Sequence, residues 1–519
     1  MNPVAVTLLP DALDRTLNEP QCARRWHVLM AAWESSRDTV ERALVVDTVK
    51  NLPGKDARTD VLRLSFLARA SGDSRYENEA AARTLAVEPE DPDRLAAFMA
   101  FRWLSALQDI EGRSGFIGAL SAGLVPDMAA RLMQSATRVI PPGFAPRVPD
   151  RIRRVALVVP HIGHQFHTPS MMAVEQCVVL AHEGLQVRIF SAQELTPPDA
   201  ALFRGDGREL KLPPLNAQAW TTLLPAGVGM TVSDSRFGLQ GRWRNLMPVL
   251  AGFDPDVVLL VGLYSPLAAA LHTLRPVVGI SVNTVPPIAP LDIWLTADTD
   301  LTQRHVWGGR FPPPIPVYHP WRVKRSVKQW QVTRTALGLD ETTVVWVTAG
   351  FRLEHEIKGD WANRMLQLMS RYPQVAWLLV GGEPKLPDAL RQAAPGRVRA
   401  LGTRDDVPGI FRCADIFVNP PRMGGGFSVA EAMAEGLPVT SLSGSDGGDK
   451  VGELALPDID RYMERLAALT ENPTLRTETG QAMRKRFAER FDLEASGPAL
   501  LAAFRQAATL ARERLTGPS

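Results

Sequence analysis

The sequence predicts an α/β protein made of two Rossmann-like, doubly wound parallel-sheet halves facing a cleft, preceded by an all-α helical region. Three observations carry this reading. Apolar runs such as VALVV, DVVLLVG and TTVVWVTAG lack the alternation of half-exposed strands and are separated by amphipathic segments, the pattern of a parallel sheet covered on both faces. That rhythm breaks once, at IPVYHPWRVKR, and then restarts, which implies two similar halves. Ahead of it the chain has helical periodicity with few strand-like runs.

In chain order, residues 1–140 read as helices, with AARTLAVEPEDPDRLAAFMAFRWL resembling a helical hairpin turned at EPEDPD. The Pro-rich VIPPGFAPRVPD, residues 139–150, ends this region. Residues 151–325 hold RRVALVVP, a helix closing at Gly184, then QVRIF, DVVLLVG, a further helix, PVVGISV and DIWLTAD. Residues 326–495 hold TTVVWVTAG, VAWLLVGG, RVRALG, DIFVNPP and LPVTSL, and residues 496–519 a closing helix. Ligands of such sheets sit beyond the carboxyl ends of the strands, and two facing halves enclose a cleft.

Composition narrows the partners. A chain of 519 residues, 45% hydrophobic and 22% charged, has material for a large core. Its formal net charge of +2 provides no basic field for nucleic acid or an anionic membrane. The longest apolar stretch, VVLLVGLYSPLAAAL, is too short to span a bilayer, and the start lacks a basic leader, so a cytoplasmic protein is expected. Three scattered cysteines, Cys22, Cys177 and Cys413, have no metal-ligand spacing and read as core residues.

The chemistry concentrates in PRMGGGFSVAEAMAEGLPV. Gly424, Gly425 and Gly426 let backbone N–H groups approach an anion, and a helix read from Ser428 turns its positive end to the same place, so phosphate is the expected guest. The alternative is a tight turn with a capping box between Ser428 and Glu431, read as the first-turn carboxylate. After TTVVWVTAG, the segment FRLEHEIKGD offers Arg352 and Lys358, a planar fork and a mobile point charge suited to a diphosphate. The segment GSDGGDKV is a decoy: Asp449 and Val451 stand where a phosphate loop needs Gly and Ser or Thr. No G-x-G-x-x-G follows either half's first strand, which removes the dehydrogenase reading.

The series AGFRLEHEIKG, LLVGGEP, VRALGTRDDVPGIFRCADIFVNPP and GGGFSVAEAMAEGLPV resembles the C-terminal half of GT-B glycosyltransferases of retaining family four, over about residues 328–505. The resemblance implies Arg352 and Lys358 on the donor diphosphate and Glu431 on the ribose hydroxyls, with Gly424, Gly425, Gly426, Phe427, Ser428 and Thr403 completing the donor set. The sequence departs at Met423, where that family has the first glutamate of its motif, and this puts retention of configuration in question. In the first half, PHIGHQFHTPSMMAVEQ and LRPVVGISVNTVPPIAPLDIWLTAD resemble loops of O-GlcNAc transferases and bacterial adhesin N-glycosyltransferases, which invert. That resemblance implies that His161 and His167 lie near the donor phosphate and the acceptor. The spacing of His161, His164 and His167 also suits zinc, but no nearby Cys supports it, and GT-B enzymes do not usually need a metal.

The expectation is therefore a glycosyltransferase that uses a nucleoside-diphosphate sugar, UDP-sugar being favoured, and a protein or glycan acceptor, without a metal. Catalysis falls to His167, His161 and Lys358, with Asp292 or Asp298 as the reserve base, and the helical region is left to bind the acceptor or a second subunit. A sugar-nucleotide epimerase and a non-catalytic binder share the architecture and stay open.

Overall fold

The computed structural model describes residues 8–516 except 54–55, 87–90, 110–112, 166, 197–214, 282–284, 297–305, 325–329, 383–389 and 391–393. Among the described residues the chain from Leu9 to Thr137 is helical, and the expected hairpin turn EPEDPD falls between Ser74–Ala86 and Pro92–Asp109, its last two residues opening the second helix and its first three lying outside the described residues.

The first sheet holds β1 (Arg154–Val158), β2 (Gln186–Ser191), β3 (Gly229–Val232), β4 (Val257–Val261), β5 (Val277–Ile280), β6 (Ile293–Thr296) and β7 (Ile315–Tyr318), in the order β3-β2-β1-β4-β5-β6-β7. The second holds β8 (Val344–Ala349), β9 (Val375–Val380), β10 (Val398–Gly402), β11 (Ile416–Val418) and β12 (Val439–Thr440), in the order β10-β9-β8-β11-β12. Every pairing is parallel. The order reverses between β1 and β4 and between β8 and β11, so each sheet opens a crevice at those strand ends. The histidine loop leaves β1, the Arg352 loop leaves β8 and the glycine loop leaves β11.

Two strands escape the sequence reading. β3 is a short, half-buried edge strand, and β7 is an edge strand that carries Pro316. Proline is tolerated on an edge, where no ladder donor is needed, but it disguises the strand in sequence. The segment read as an interruption is thus partly the seventh strand.

The halves are crossed twice. Val323 N–H donates to Phe491 O at 2.8 Å and Leu493 N–H to Val323 O at 3.2 Å, which binds the outgoing linker to the returning chain. The returning chain forms the Gly497–Thr516 helix on the first half, where Arg514 pairs with Asp292 at 3.1 Å. Asp292 also accepts the Val277 N–H at 2.8 Å. It therefore sits at the amino end of β6, opposite the cleft, and is no reserve base; Asp298 lies outside the described residues, as does the expected boundary at Arg325. Among the described residues no single helix is long and apolar enough to cross a membrane.

The Pro473–Arg490 helix backs the glycine-loop helix, and Gly480 makes the contact possible, because a Cβ there would meet Gly436 O at 2.2 Å. Gly480→Ala is expected to lower stability by ~1–3 kcal/mol through overpacking, read as a lower denaturant midpoint. An unchanged midpoint would place the two helices further apart.

Candidate active site

The glycine loop is the centre of the site. Its helix runs Gly426–Ala434, with Gly425 in the left-handed conformation at φ 91° before it. The start lies two residues earlier than expected. Ser428 therefore stands inside the first turn and Glu431 beyond it, and the capping box does not form: the Ser428 hydroxyl donates to Gly425 O at 3.0 Å, and no side chain caps the helix. The amides of the first turn stay open to an anion. Phe427 contributes only its backbone, since its ring belongs to the apolar core.

Around this loop the structure assembles charges that are far apart in sequence. Glu356, 6% exposed, accepts from Arg352 Nη2 at 2.9 Å and from Arg422 Nη1 at 2.7 Å. Burial works to raise the Glu356 carboxyl, but Arg422 and Arg352 overcome it and hold it down to about 2. Arg422 also donates to Asn419 Oδ1 at 2.9 Å and to Ala349 O at 3.0 Å, so it joins the ends of β11 and β8. Both arginines lie against glycines: a Cβ on Gly424 would stand 3.0 Å from Arg352 Nη2, and one on Gly425 would stand 2.3 Å from Arg422 Nε. The loop is glycine-rich because the guanidinium groups occupy the space of its side chains. Neither Glu356 nor Arg422 was singled out from sequence.

The remaining expected donor residues take distinct places. Lys358 is exposed and leads into the Gly359–Arg371 helix. Thr403 is exposed at the end of β10, with its hydroxyl toward Gly382 O at 3.5 Å, beside the site instead of within the Arg352 cluster. Glu431 is half-buried, and its carboxylate makes no hydrogen bond or ion pair among the described residues. Burial, with a smaller push from Glu435, raises it to about 7. Met423 is fully buried in the apolar cluster that runs through the N-terminal helices and the first half, which explains why no acid stands there. Asp446 adds a residue that the decoy reading passed over: its N–H donates to Met423 O at 3.4 Å, it lies against Gly426, and its buried Oδ1 has no partner.

The first half brings its histidines to this place. Gln193 splints the loop from both sides, accepting the Ile162 N–H and donating to Ile162 O, each at 2.9 Å, while Trp220 donates to Gly163 O at 2.7 Å. His167 Nδ1 lies 2.7 Å from Ser170 Oγ. Ser170 Oγ accepts the Gly163 N–H at 3.2 Å and donates toward His161 O at 3.5 Å. With its proton on Nδ1, donated to Ser170 Oγ, the ring leaves Nε2 as a lone pair. Burial first, then His161, His164 and Arg352, push His167 well below its ordinary value, so the ring is neutral. The His164 ring meets the Phe351 ring edge-on at 5.6 Å, which sets the histidine loop against the Arg352 loop of the other half. The His161 and His167 rings are 5.3 Å apart. Among the described residues no three His, Cys, Asp or Glu are grouped to hold a metal.

Residues 343–472 match the family model described as Glycosyl transferases group 1, about a quarter of the chain and most of its second half. No curated protein matches the sequence significantly. Among solved structures, a Lys-to-Met mutant of the Thermobaculum terrenum O-GlcNAc transferase aligns over 98% of this chain and 94% of its own, at TM-score 0.57 and 14% identity. Anabaena HepE in complex with UDP and glucose aligns over 68% of this chain and 100% of its own, at 0.47 and 14%. The sucrose-phosphate synthase of Thermosynechococcus elongatus aligns over 68% and 98%, at 0.47 and 15%. The fold is GT-B, and the matched family region supports glycosyl transfer.

Two measurements follow. Glu356→Gln removes the one anion between two guanidinium groups and leaves Arg422 buried without it, so stability is expected to fall by ~3–5 kcal/mol; urea unfolding that matches the wild type would show the triad to be dispensable. Glu431 holds its proton to about 7 in the folded chain against an ordinary 4.5. The folded state thus binds more protons between those values, and stability falls as pH rises through that window. Glu431→Gln lacks this fall, so its melting temperature is expected to exceed the wild type's at about pH 8 and to converge with it near pH 4. A constant difference across that range would remove the titration from Glu431.

Proposed function

We propose that this protein transfers a hexosyl or N-acetylhexosaminyl group from a UDP-sugar to a protein or glycan acceptor in the cytoplasm. The observation that carries the reading is the convergence of four features on one cleft: the open first turn at Gly424–Gly426, Arg352 laid over Gly424, the unpaired Glu431 carboxylate, and the neutral His167 facing them from the other half.

In this reading the diphosphate lies on the first-turn amides, gripped by Arg352 and reached by Lys358, while Glu431 accepts from the ribose hydroxyls. His167 Nε2 takes the proton of the acceptor as its heteroatom bonds to the anomeric carbon. The bond from that carbon to the diphosphate oxygen breaks, and UDP leaves with the electron pair. Negative charge builds on the leaving diphosphate and is met by the helix amides, Arg352 and Lys358, in the role that a metal would otherwise fill. A base on the acceptor side, with Met423 buried in place of an acid, favours direct displacement with inversion. The helical region is left as a platform for the acceptor or a second subunit.

The test is a panel of nucleotide sugars incubated with the full chain, with free UDP, epimerised sugar and intact donor all measured. Release of UDP is expected; an epimer without free UDP, or neither product, would overturn the reading. On the active donor, Arg352→Ala and Lys358→Ala should each lower kcat/KM by about ten- to a hundredfold. His167→Ala should lose about a hundredfold or more while melting like the wild type. Full activity in all three variants would leave the site without its chemistry.

A further inference from the structure

We propose that Glu175, on the helix that follows the histidine loop, is the first half's ligand for the donor's vicinal ribose hydroxyls, closing on them opposite Glu431. The inference rests on the UDP-sugar reading above and adds a residue that neither the sequence reading nor the glycine loop supplied.

The geometry begins with two helices. Thr168–His182 carries His167 at its amino end, across from Arg352, and Gly426–Ala434 carries the anion-binding turn. Along the first helix Glu175 lies about 12 Å beyond His167, and along the second Glu431 lies about 8 Å beyond Gly426, at 1.5 Å per residue. Glu175 thus lies about two turns inside the first helix, and Glu431 about one turn beyond the start of the second. Glu175 and Glu431 are close enough that the charge of Glu431 acts on Glu175.

The side chain of Glu175 is held but not satisfied. Its Oε1 accepts the backbone N–H of Lys324 at 3.3 Å, in the linker that crosses between the halves. Its Oε2 is buried and has no hydrogen-bond partner among the described residues. A buried carboxyl oxygen left unpaired is unfavourable unless something else bonds to it, and the neighbouring carboxylate of Glu431 is likewise open. Two carboxyls from opposite halves, each with an oxygen that has no hydrogen-bond partner among the described residues, match the vicinal hydroxyls of a ribose, which can both donate and accept.

Protonation fits that assignment. The charged groups facing Glu175 are Lys324 from the linker and Glu431 from the opposite helix, while Glu435 acts on Glu431. Burial, reinforced by Glu431, raises Glu175 to about 8, so at neutral pH it keeps its proton while Glu431 titrates near 7. One carboxyl then donates and the other accepts, which avoids two facing negative charges over the sugar.

The experiment is calorimetry of the full-length protein with UDP and with 2′,3′-dideoxy-UDP. Wild type is expected to prefer UDP by about tenfold or more, the worth of charged hydrogen bonds to the diol. Glu175→Ala should narrow that preference to within about threefold, with the loss falling on UDP and not on the dideoxy analogue. Glu175→Gln, which keeps a donor and an acceptor in place, should retain most of the preference. If Glu175→Ala melts early, Glu175→Asp is read instead, and its shorter reach should narrow the preference in the same way. A variant that discriminates like the wild type overturns the assignment while leaving the donor reading intact. A wild type that binds neither compound overturns the donor reading and this inference with it.

Discussion

The site hangs on one carboxylate shared by two guanidinium groups. Glu356 leaves the β8 loop, Arg422 leaves the end of β11, and Arg352 stands one helical turn before Glu356. Because the triad is buried, each ion needs the others: two arginines alone would repel, and a lone Glu356 would be stranded without water. The triad joins the two strand ends that border the crevice of the second sheet, and it leaves the half-exposed Arg352 as the group free to meet an anion. The net charge of this arrangement is one positive, in the place where the helix amides also point. The glycines follow from it, because any side chain at Gly425 would collide with Arg422.

A second polar chain links that loop to the crossing between the halves. The short Asp446–Val451 helix touches Gly426 at its start, and Lys450 is buried at its end, with Nζ donating to Trp321 O at 2.5 Å. Lys450 lies over the Phe491 ring at 4.6 Å, so it is wedged into the two strands of chain that connect the halves. Burial lowers it to about 7, against the pull of Asp446 and Asp449. Asp449 in turn meets Arg113 of the N-terminal helices at 3.2 Å. The glycine loop, the linker and the helical region are therefore in contact through six residues of chain, and movement of one half on the other must pass through them.

Much of the fold was legible because the strands of a doubly covered parallel sheet announce themselves as apolar runs: ten of the twelve strands coincide with runs read from sequence. The two that did not, β3 and β7, are edge strands whose half-exposed residues lack that signature. In the site, Gly424–Gly426 and Arg352 were legible from their residue types at a strand end. The helix start was misjudged because Gly425 serves as the cap by its φ, a property of backbone geometry that leaves no side-chain mark. Glu356 and Arg422 were not legible as a pair, since 66 residues separate them. A local signal did exist, the (i, i+4) spacing of Arg352 and Glu356. Glu175 had no such signal, because its surroundings come from the linker and the facing half.

The replacement of an acid by Met423 is best understood through this distribution of charge. A carboxylate at position 423 would have to enter the apolar cluster formed with the N-terminal helices, where desolvation disfavours it. It would also stand beside Asp446, whose carboxyl is already pushed well above its ordinary value by burial and by Asp449. A second acid there would add repulsion beside Asp446, while Arg422 and Arg352 already share Glu356. Methionine, flexible and apolar, fills the gap and anchors the loop to the other half. The ionisable groups of this cleft consequently stand on other elements: Glu431 on the helix behind the loop, Asp446 on the next one, and the imidazole of His167 in the other half. The same packing that closes the N-terminal helices onto the second half thus takes position 423 out of the ionisable lining of the cleft, which a reading of the second half alone would not show.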